Sequence, residues 1–174
     1  ETIQGDAFDL DATSAAVGAS GADAIVCTLG GRPEDGRRID HIGVENLIAA
    51  AKEAGIARFV LVTSFGCGES RVAVPPPLLE KIGAALSEKD KAEESLRASG
   101  LAFTILRPGG LSDSSSTGRG VLTDSNDVLG GIARADVAIG VVDCLDSEKS
   151  VGQTLGLIDR DQVRAGTLHE VTIG

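Results

Sequence analysis

Tyrosine, tryptophan and methionine are absent from the 174 residues, and four phenylalanines are the only aromatic side chains. Position 1 is Glu rather than Met, which indicates that the chain does not begin where translation began or that its start is not shown. No secretory or transit signal is visible at Glu1, so we expect any such segment to have been removed. These absences exclude a phenol, an indole and a thioether from any site that the chain builds.

Long apolar runs and blocks of basic residues are also missing. No apolar stretch approaches the roughly 18 residues that span a bilayer, so we do not expect a transmembrane protein. Sixteen Lys and Arg stand against 26 Asp and Glu, and the resulting net charge of −10 argues against a nucleic-acid partner. His41 and His169 have no Cys, Asp or Glu around them at metal-ligand spacing, and we assign no metal site.

Cysteine is scarce, and its pattern indicates no disulfide framework. The three cysteines are odd in number and widely spaced, which fits a reducing compartment. Cys27 and Cys144 fall in strand and helix patterns, so both are expected in the core. Cys67 lies in a loop between Gly66 and Gly68 and is predicted to be the exposed thiol, although exposure alone does not make a thiol reactive.

The residues that are present predict a folded α/β domain. An apolar content of 42% excludes disorder, and the length predicts one domain over residues 1–174. Three short apolar runs each end in small, polar or glycine residues, at 22–31, 54–64 and 100–110. Buried parallel strands have this composition, and open α/β sheets bind ligands at the carboxyl ends of such strands. We therefore predict a ligand site at that edge.

The order of apolar runs and helical periods predicts a doubly wound parallel sheet with helices on both faces. Parallel strands are expected near Ile3, Ile25, Val60 and Phe103. Helices are expected over about 11–18, 39–54, 78–99 and 135–145. In the third helix, Lys89/Glu93 and Glu93/Arg97 are spaced i, i+4, and we predict that these pairs lie on its exposed face.

These motifs, in this order, resemble a known family. Its signature is carried by Gly5-Asp6, Ala24–Gly31, Asp40-x-x-Gly43-x-x-Asn46, Phe59–Ser64, Lys89-x-Lys91-Ala92-Glu93-Glu94, Arg107-Pro108-Gly109-Gly110 and Arg134-Ala135-Asp136. The sequence is similar over nearly its whole length to the atypical short-chain dehydrogenases/reductases, which have NAD(P)-binding Rossmann folds. The NmrA-like and biliverdin/flavin reductase-like branch matches best. The resemblance implies NADP or NAD as cofactor and the plastid stroma or the cytoplasm as location.

The sequence departs from that family in two respects. The family's first strand and Gly-rich phosphate loop are missing from the given chain, which starts near the third strand, so cofactor binding is expected to depend on an upstream loop. The family's Tyr-x-x-x-Lys pair, in which the phenol is the acid, is also incomplete. If Lys89 is that lysine, Ala85 stands in place of the tyrosine.

The resemblance implies the site residues. Ser64 and Lys89 are the candidates for catalysis. The candidates for cofactor binding are Asp6, Thr28, Leu29, Gly30, Gly31, Thr63, Arg107, Pro108, Gly109 and Gly110. Four of the residues that we single out keep a structural alternative: Asp6 as a turn residue, Ser64 as a strand-end cap, Lys89 as a solvated lysine, which we favour, and Asn46 as a structural hydrogen-bond donor, also favoured.

Two hypotheses about function follow. In the first, the chain is an NAD(P)-binding Rossmann protein that is weakly active or non-catalytic and serves as a redox-sensing or structural subunit of a larger assembly. In the second, it is an active NAD(P)H-dependent oxidoreductase on a small-molecule substrate, with Ser64 near the nicotinamide. The missing tyrosine and phosphate loop favour the first hypothesis, and the strand-end motifs favour the second.

Overall fold

The computed structural model describes residues 2–31 and 36–174. Within them the helices are α1 (Leu10–Ser20), α2 (Ile42–Ala54), α3 (Pro76–Arg97) and α4 (Arg134–Asp146). The strands are β1 (Ala24–Cys27), β2 (Arg58–Val62), β3 (Ala102–Pro108), β4 (Gly110–Ser112), β5 (Gly120–Thr123), β6 (Leu129–Ala133), β7 (Gln153–Asp159), β8 (Val163–Ala165) and β9 (Glu170–Val171).

A six-stranded sheet in the order β1-β2-β3-β7-β5-β9 forms the centre of the molecule. The strands β1, β2, β3 and β7 are parallel, whereas β5 pairs antiparallel with both β7 and β9. The prediction of an α/β, Rossmann-like fold with a mostly parallel sheet is confirmed. A second sheet, β4-β6-β8, lies at the carboxyl end of β3.

Helices cover both faces of the central sheet because the strands are apolar on both sides. On one face, Phe59 and Ile105 pack with residues of α2 and α3. On the other face, Val60 and Leu106 pack with Val137 and other residues of α4. The fully buried side chains of neighbouring positions thus point alternately to the two layers. In the described part of the chain, no helix combines the length and the apolar character that crossing a membrane requires.

The strand predicted near Ile3 is wrong. Residues 2–6 have no regular secondary structure, and Ile3 is 42% exposed. A strand is stable only when its backbone N–H and C=O groups bond to a neighbouring strand. No described strand pairs with residues 2–4, so the short Thr2–Gln4 run is left without a ladder partner.

Candidate functional site

The ends of three parallel strands lie at one edge of the central sheet. Residues 28–31 follow β1, residues 63–64 follow β2, and residues 109–110 follow β3. Two backbone hydrogen bonds continue the β2–β3 pairing past the strand end, from Thr63 N to Leu106 O (2.8 Å) and from Phe65 N to Pro108 O (2.9 Å). The structure therefore brings these predicted cofactor segments to one edge.

Lys89 reaches this edge from α3, and the expectation that it is a solvated lysine is wrong. Its Nζ lies 3.0 Å from Asp40 Oδ1, and only 16% of its side chain is exposed. Nζ is also 3.5 Å from Leu29 O, at the end of β1. A Cβ at Gly30 would stand 3.2 Å from Nζ, closer than side chains normally approach. Because Gly30 has no side chain, the ammonium can lie against the backbone that follows β1.

Asp40 is a site residue that sequence reasoning did not single out. Its side chain is 1% exposed, and Oδ2 accepts no hydrogen bond from the described residues. The Arg38 guanidinium lies near Oδ2, with NH1 at 3.7 Å. The signal was present in the sequence, because Asp40 opens the Asp40-x-x-Gly43 motif immediately before a helix.

A second buried network lies behind the edge and joins α3 to β2 and β3. Glu93, which is 1% exposed, accepts two hydrogen bonds from Arg107, to Oε1 from Nε (3.0 Å) and to Oε2 from NH2 (2.6 Å). Thr63 also donates to Glu93 Oε1 (2.7 Å), and Arg97 donates to Oε2 (2.9 Å). The predicted exposed face carrying Lys89/Glu93 is thus wrong: Glu93 bonds inward to the strands and Lys89 bonds to Asp40.

The same burial corrects the expectation for Cys67. Its side chain is fully buried, with Sγ 4.0 Å from Leu86 O. Removal from water, with a smaller contribution from the nearby Glu93 carboxylate, raises the pKa of the Cys67 thiol to about 12. Cys67 is therefore a thiol in the core, as Cys27 and Cys144 also are.

Asp6 and Asn46 are both used in the turn that precedes α1. Asp6 Oδ1 accepts a hydrogen bond from Phe8 N (2.9 Å), and the Asp6 carbonyl accepts one from Asp9 N (3.0 Å). Asn46 Nδ2 donates to Ala7 O (2.9 Å). Asp6 is exposed at this turn, so its structural role is compatible with a cofactor contact, which stays a prediction.

Ser64 lies half-buried at the end of β2. Its hydroxyl donates to Phe65 O (2.9 Å), and no described hydrogen bond joins it to Lys89. Ala85, at the position of the family's tyrosine, is half-buried one helical turn before Lys89. The structure thus places a cation and a hydroxyl at the strand ends, with no phenol beside them.

The Pro108-Gly109-Gly110 turn is shaped by a neighbouring strand. A Cβ at Gly109 would stand 2.6 Å from Gly130 O and 2.6 Å from Ile158 Cδ1. Gly109 is therefore required by the close approach of β6, whether or not a ligand lies there. Gly110 is exposed, as are Thr28 and Gly31, and these backbones are accessible from solvent.

Asp136, in the first turn of α4, holds the loop that follows β4. It accepts hydrogen bonds from Ser116 Oγ, from Thr117 N (2.9 Å) and from Gly118 N (3.0 Å). These bonds, the one from Ser116 above all, lower the pKa of Asp136 to about 2. Asp136 therefore holds the loop of residues 116–118 against the first turn of α4.

The carboxyl edge has a chemistry that suits a dinucleotide. Lys89 presents an ammonium donor, residues 28–31 present an open backbone, and Asp40 Oδ2 is a buried acceptor without a hydrogen bond from the described residues. An ammonium group binds hydroxyls and phosphate oxygens. The residues at the edge therefore fit a sugar–phosphate ligand.

Comparison with known proteins identifies a family for this chain. The family described as NAD(P)H-binding matches residues 1–148. An uncharacterised chloroplastic protein of Arabidopsis thaliana is 33% identical over 147 residues, covering 79% of this chain and 52% of that protein. Protein TIC 62 of rice (Oryza sativa subsp. japonica), also chloroplastic, is 40% identical over 93 residues, covering 50% of this chain and 18% of that protein. The chain thus spans about half or less of these relatives' length.

Among solved structures, ChuY, an anaerobillin reductase from Escherichia coli, superposes with a TM-score of 0.82 at 35% sequence identity. The match covers 92% of this chain and 76% of ChuY. This chain therefore has a fold similar to that of a reductase over most of its length.

Proposed function

Because this chain belongs to the NAD(P)H-binding family, we propose that it binds NADP(H) or NAD(H) along the carboxyl edge of β1, β2 and β3 and turns the cofactor over weakly or not at all. One observation supports the proposal of weak or absent turnover. Ala85 stands where the family's tyrosine would donate a proton, and the given sequence contains no tyrosine.

Lys89 is the residue best placed to hold the cofactor. In the proposed complex its ammonium binds the ribose hydroxyls on the nicotinamide side, and Asp6, residues 28–31, Ser64 and Gly110 line the remaining path. The bound nicotinamide would supply a hydride. A preference for NADP(H) over NAD(H) rests on analogy with the family branch alone.

The loss of reaction rate caused by the missing phenol favours a binding protein over an active enzyme. A positioned acid or base typically contributes about 10²–10⁴-fold to a rate. Without it, the strand-end site loses its proton donor, whereas the residues proposed to bind the cofactor are present and would act together with an upstream phosphate loop. We propose that the protein works as a redox-sensing or structural subunit of a larger assembly, in the plastid stroma or the cytoplasm.

The alternative function is that of an active reductase on a small molecule. The buried placement of the Lys89–Asp40 pair and the likeness to a reductase favour it. In that case Ser64 binds the substrate, and a water molecule or the substrate itself supplies the proton. This alternative predicts substantial turnover that depends on Ser64.

Cofactor binding is tested by titrating NADPH and NADH against the full-length protein and following nicotinamide fluorescence. We expect Gly30→Val to weaken binding by at least about tenfold, because a side chain there displaces the Lys89 ammonium. Gly18→Val is the matched control, since a Cβ at Gly18 meets open space in α1. Equal affinity in wild type and Gly30→Val would remove the site from this edge.

Turnover is tested by following NADPH oxidation with quinones, flavins, enals and anaerobillin as acceptors. We expect rates close to the background without protein for every acceptor. Robust turnover that is lost in Ser64→Ala would establish the alternative instead.

A further inference from the structure

We propose that Asp40 is a positioning residue, which holds the Lys89 ammonium at the carboxyl edge of β1 in the orientation that binds the cofactor. This inference rests on the proposed function, because the cofactor is what Lys89 would bind. It assigns a role to a buried carboxylate that joins the segment before α2 to α3.

Asp40 does not serve the helix beside it. It lies two residues before Ile42, the first residue of α2, where a carboxylate often caps the free backbone N–H groups. The N-cap residue of α2 is His41, which makes no side-chain cap hydrogen bond, and Asp40 Oδ2 accepts no hydrogen bond from the described residues. The only hydrogen-bond-length contact of the Asp40 side chain among the described residues is the one to Lys89 Nζ, at 3.0 Å.

Burying this ion pair removes two charges from water, and stability alone does not explain why the chain has it. Side-chain exposure is 1% for Asp40 and 16% for Lys89, so both charges have given up most of their hydration. Buried ion pairs are on balance poor stabilisers compared with apolar residues of similar volume. An apolar pair would also leave no cation at the edge, whereas Asp40 holds the Lys89 Nζ there at 3.0 Å.

Three separate parts of the chain converge to fix the ammonium. Asp40 comes from the segment before α2, Lys89 from α3, and Gly30 from the end of β1. A Cβ at Gly30 would stand 3.3 Å from Asp40 Oδ1 and 3.2 Å from Lys89 Nζ, so the glycine leaves room for both atoms. Lys89 therefore has one defined position, beside the backbone that the cofactor would follow.

The second oxygen of the Asp40 carboxylate, Oδ2, lies near another cation. Oδ2 is buried without a hydrogen bond from the described residues, and Arg38 NH1 is 3.7 Å away. Two cations thus flank one carboxylate, and the cluster of Arg38, Asp40 and Lys89 has a net charge of +1 in a chain whose net charge is −10. A local positive charge at this edge favours an anionic ligand such as a dinucleotide.

The hold of Asp40 on Lys89 can be measured without cofactor. Reductive methylation of lysines, read by peptide mass spectrometry, reports how available each amine is. We expect Lys89 to be modified slowly in the wild type and several-fold faster in Asp40→Asn, because the neutral amide no longer holds the ammonium. Lys91 is the internal control, since its side chain is 54% exposed and pairs with Glu88.

The coupling to the cofactor is measured by the dissociation constant for NADPH in a double-mutant cycle. We expect Asp40→Asn and Lys89→Gln each to weaken binding by about tenfold, the loss typical of one charged hydrogen bond. The double variant should bind no more weakly than Lys89→Gln alone, because Asp40 acts through Lys89. Lys91→Gln should bind as the wild type does.

The outcomes separate the two proposals. Three results would each overturn the positioning role and leave the proposed function standing. They are an NADPH affinity in Asp40→Asn equal to that of the wild type, additive losses of affinity in the cycle, and an unchanged rate of Lys89 methylation in Asp40→Asn. A wild type that binds neither NADPH nor NADH would overturn the proposed function and this inference with it. If Asp40→Asn does not fold, Asp40→Glu keeps the charge but moves it by one methylene, and the same faster methylation is expected.

Discussion

At the scale of single residues, Glu93 is the centre of one buried polar network. It bonds to Arg107, Arg97 and Thr63 at once, and it is 1% exposed. Sequence periodicity placed Glu93 on the outer face of α3 because Lys89 and Arg97 are four residues away on either side. The inward bonds could not be read from that spacing, since Arg107 lies on a strand that contacts α3 only in the folded chain.

Removing the Glu93 charge should destabilise the protein strongly. Glu93→Gln leaves the buried Arg107 with only the exposed Glu69, 3.4 Å from NH1, as an anionic partner. Breaking a buried pair typically costs about 3–5 kcal/mol. Urea unfolding followed by circular dichroism measures the loss. Glu94→Gln is the matched control, because Glu94 is the exposed neighbour on the same helix. Equal urea midpoints for Glu93→Gln and wild type would show that the network contributes nothing to stability.

At the scale of elements, local signals predicted the strands well where the partners follow closely along the chain. Apolar runs ended by glycine predicted β1, β2 and β3 because both features are local. The strand at Ile3 failed because pairing depends on a neighbour that the local sequence does not reveal. The same reason explains what could be predicted of the site. The strand ends could be predicted from local sequence. The Lys89–Asp40 pair could not, because its two residues are 49 positions apart.

The first turn of α4 shows how one carboxylate holds a loop, and it gives a prediction about pH. The pKa of Asp136 falls from 3.8 to about 2 in the folded protein, because Ser116 and the backbone of Thr117 donate to the ionised form. A lowered folded pKa contributes stability that is present above the unfolded pKa and is lost as the pH falls through the folded value.

Asp136→Asn should therefore be less stable than wild type at neutral pH, with the difference shrinking as the pH falls from about 4 toward about 2. Denaturant unfolding at a series of pH values measures this difference. Asp124→Asn, an exposed change in the following loop, is the control. A difference that stays constant over that pH range would contradict the assigned hydrogen bonds.

At the scale of the whole molecule, the resemblance to NAD(P)-binding atypical short-chain dehydrogenases is confirmed by the family match and by the structural likeness to ChuY. The fold could be predicted because the order of strands and helices is carried by local patterns along nearly the whole chain. The chemistry could be predicted only in part. A missing tyrosine is visible in the sequence, but the position of Lys89 depends on packing among three elements.

The most direct test of the account is hydrogen–deuterium exchange with and without NADPH. The account predicts slower amide exchange at residues 28–31, 63–65 and 109–110, where the three strands end, and unchanged exchange along the outer face of α4, which contains the exposed Ile139 and Val142. Protection confined to α4 and β9, or no protection at any NADPH concentration, would contradict a dinucleotide site at this edge of the sheet.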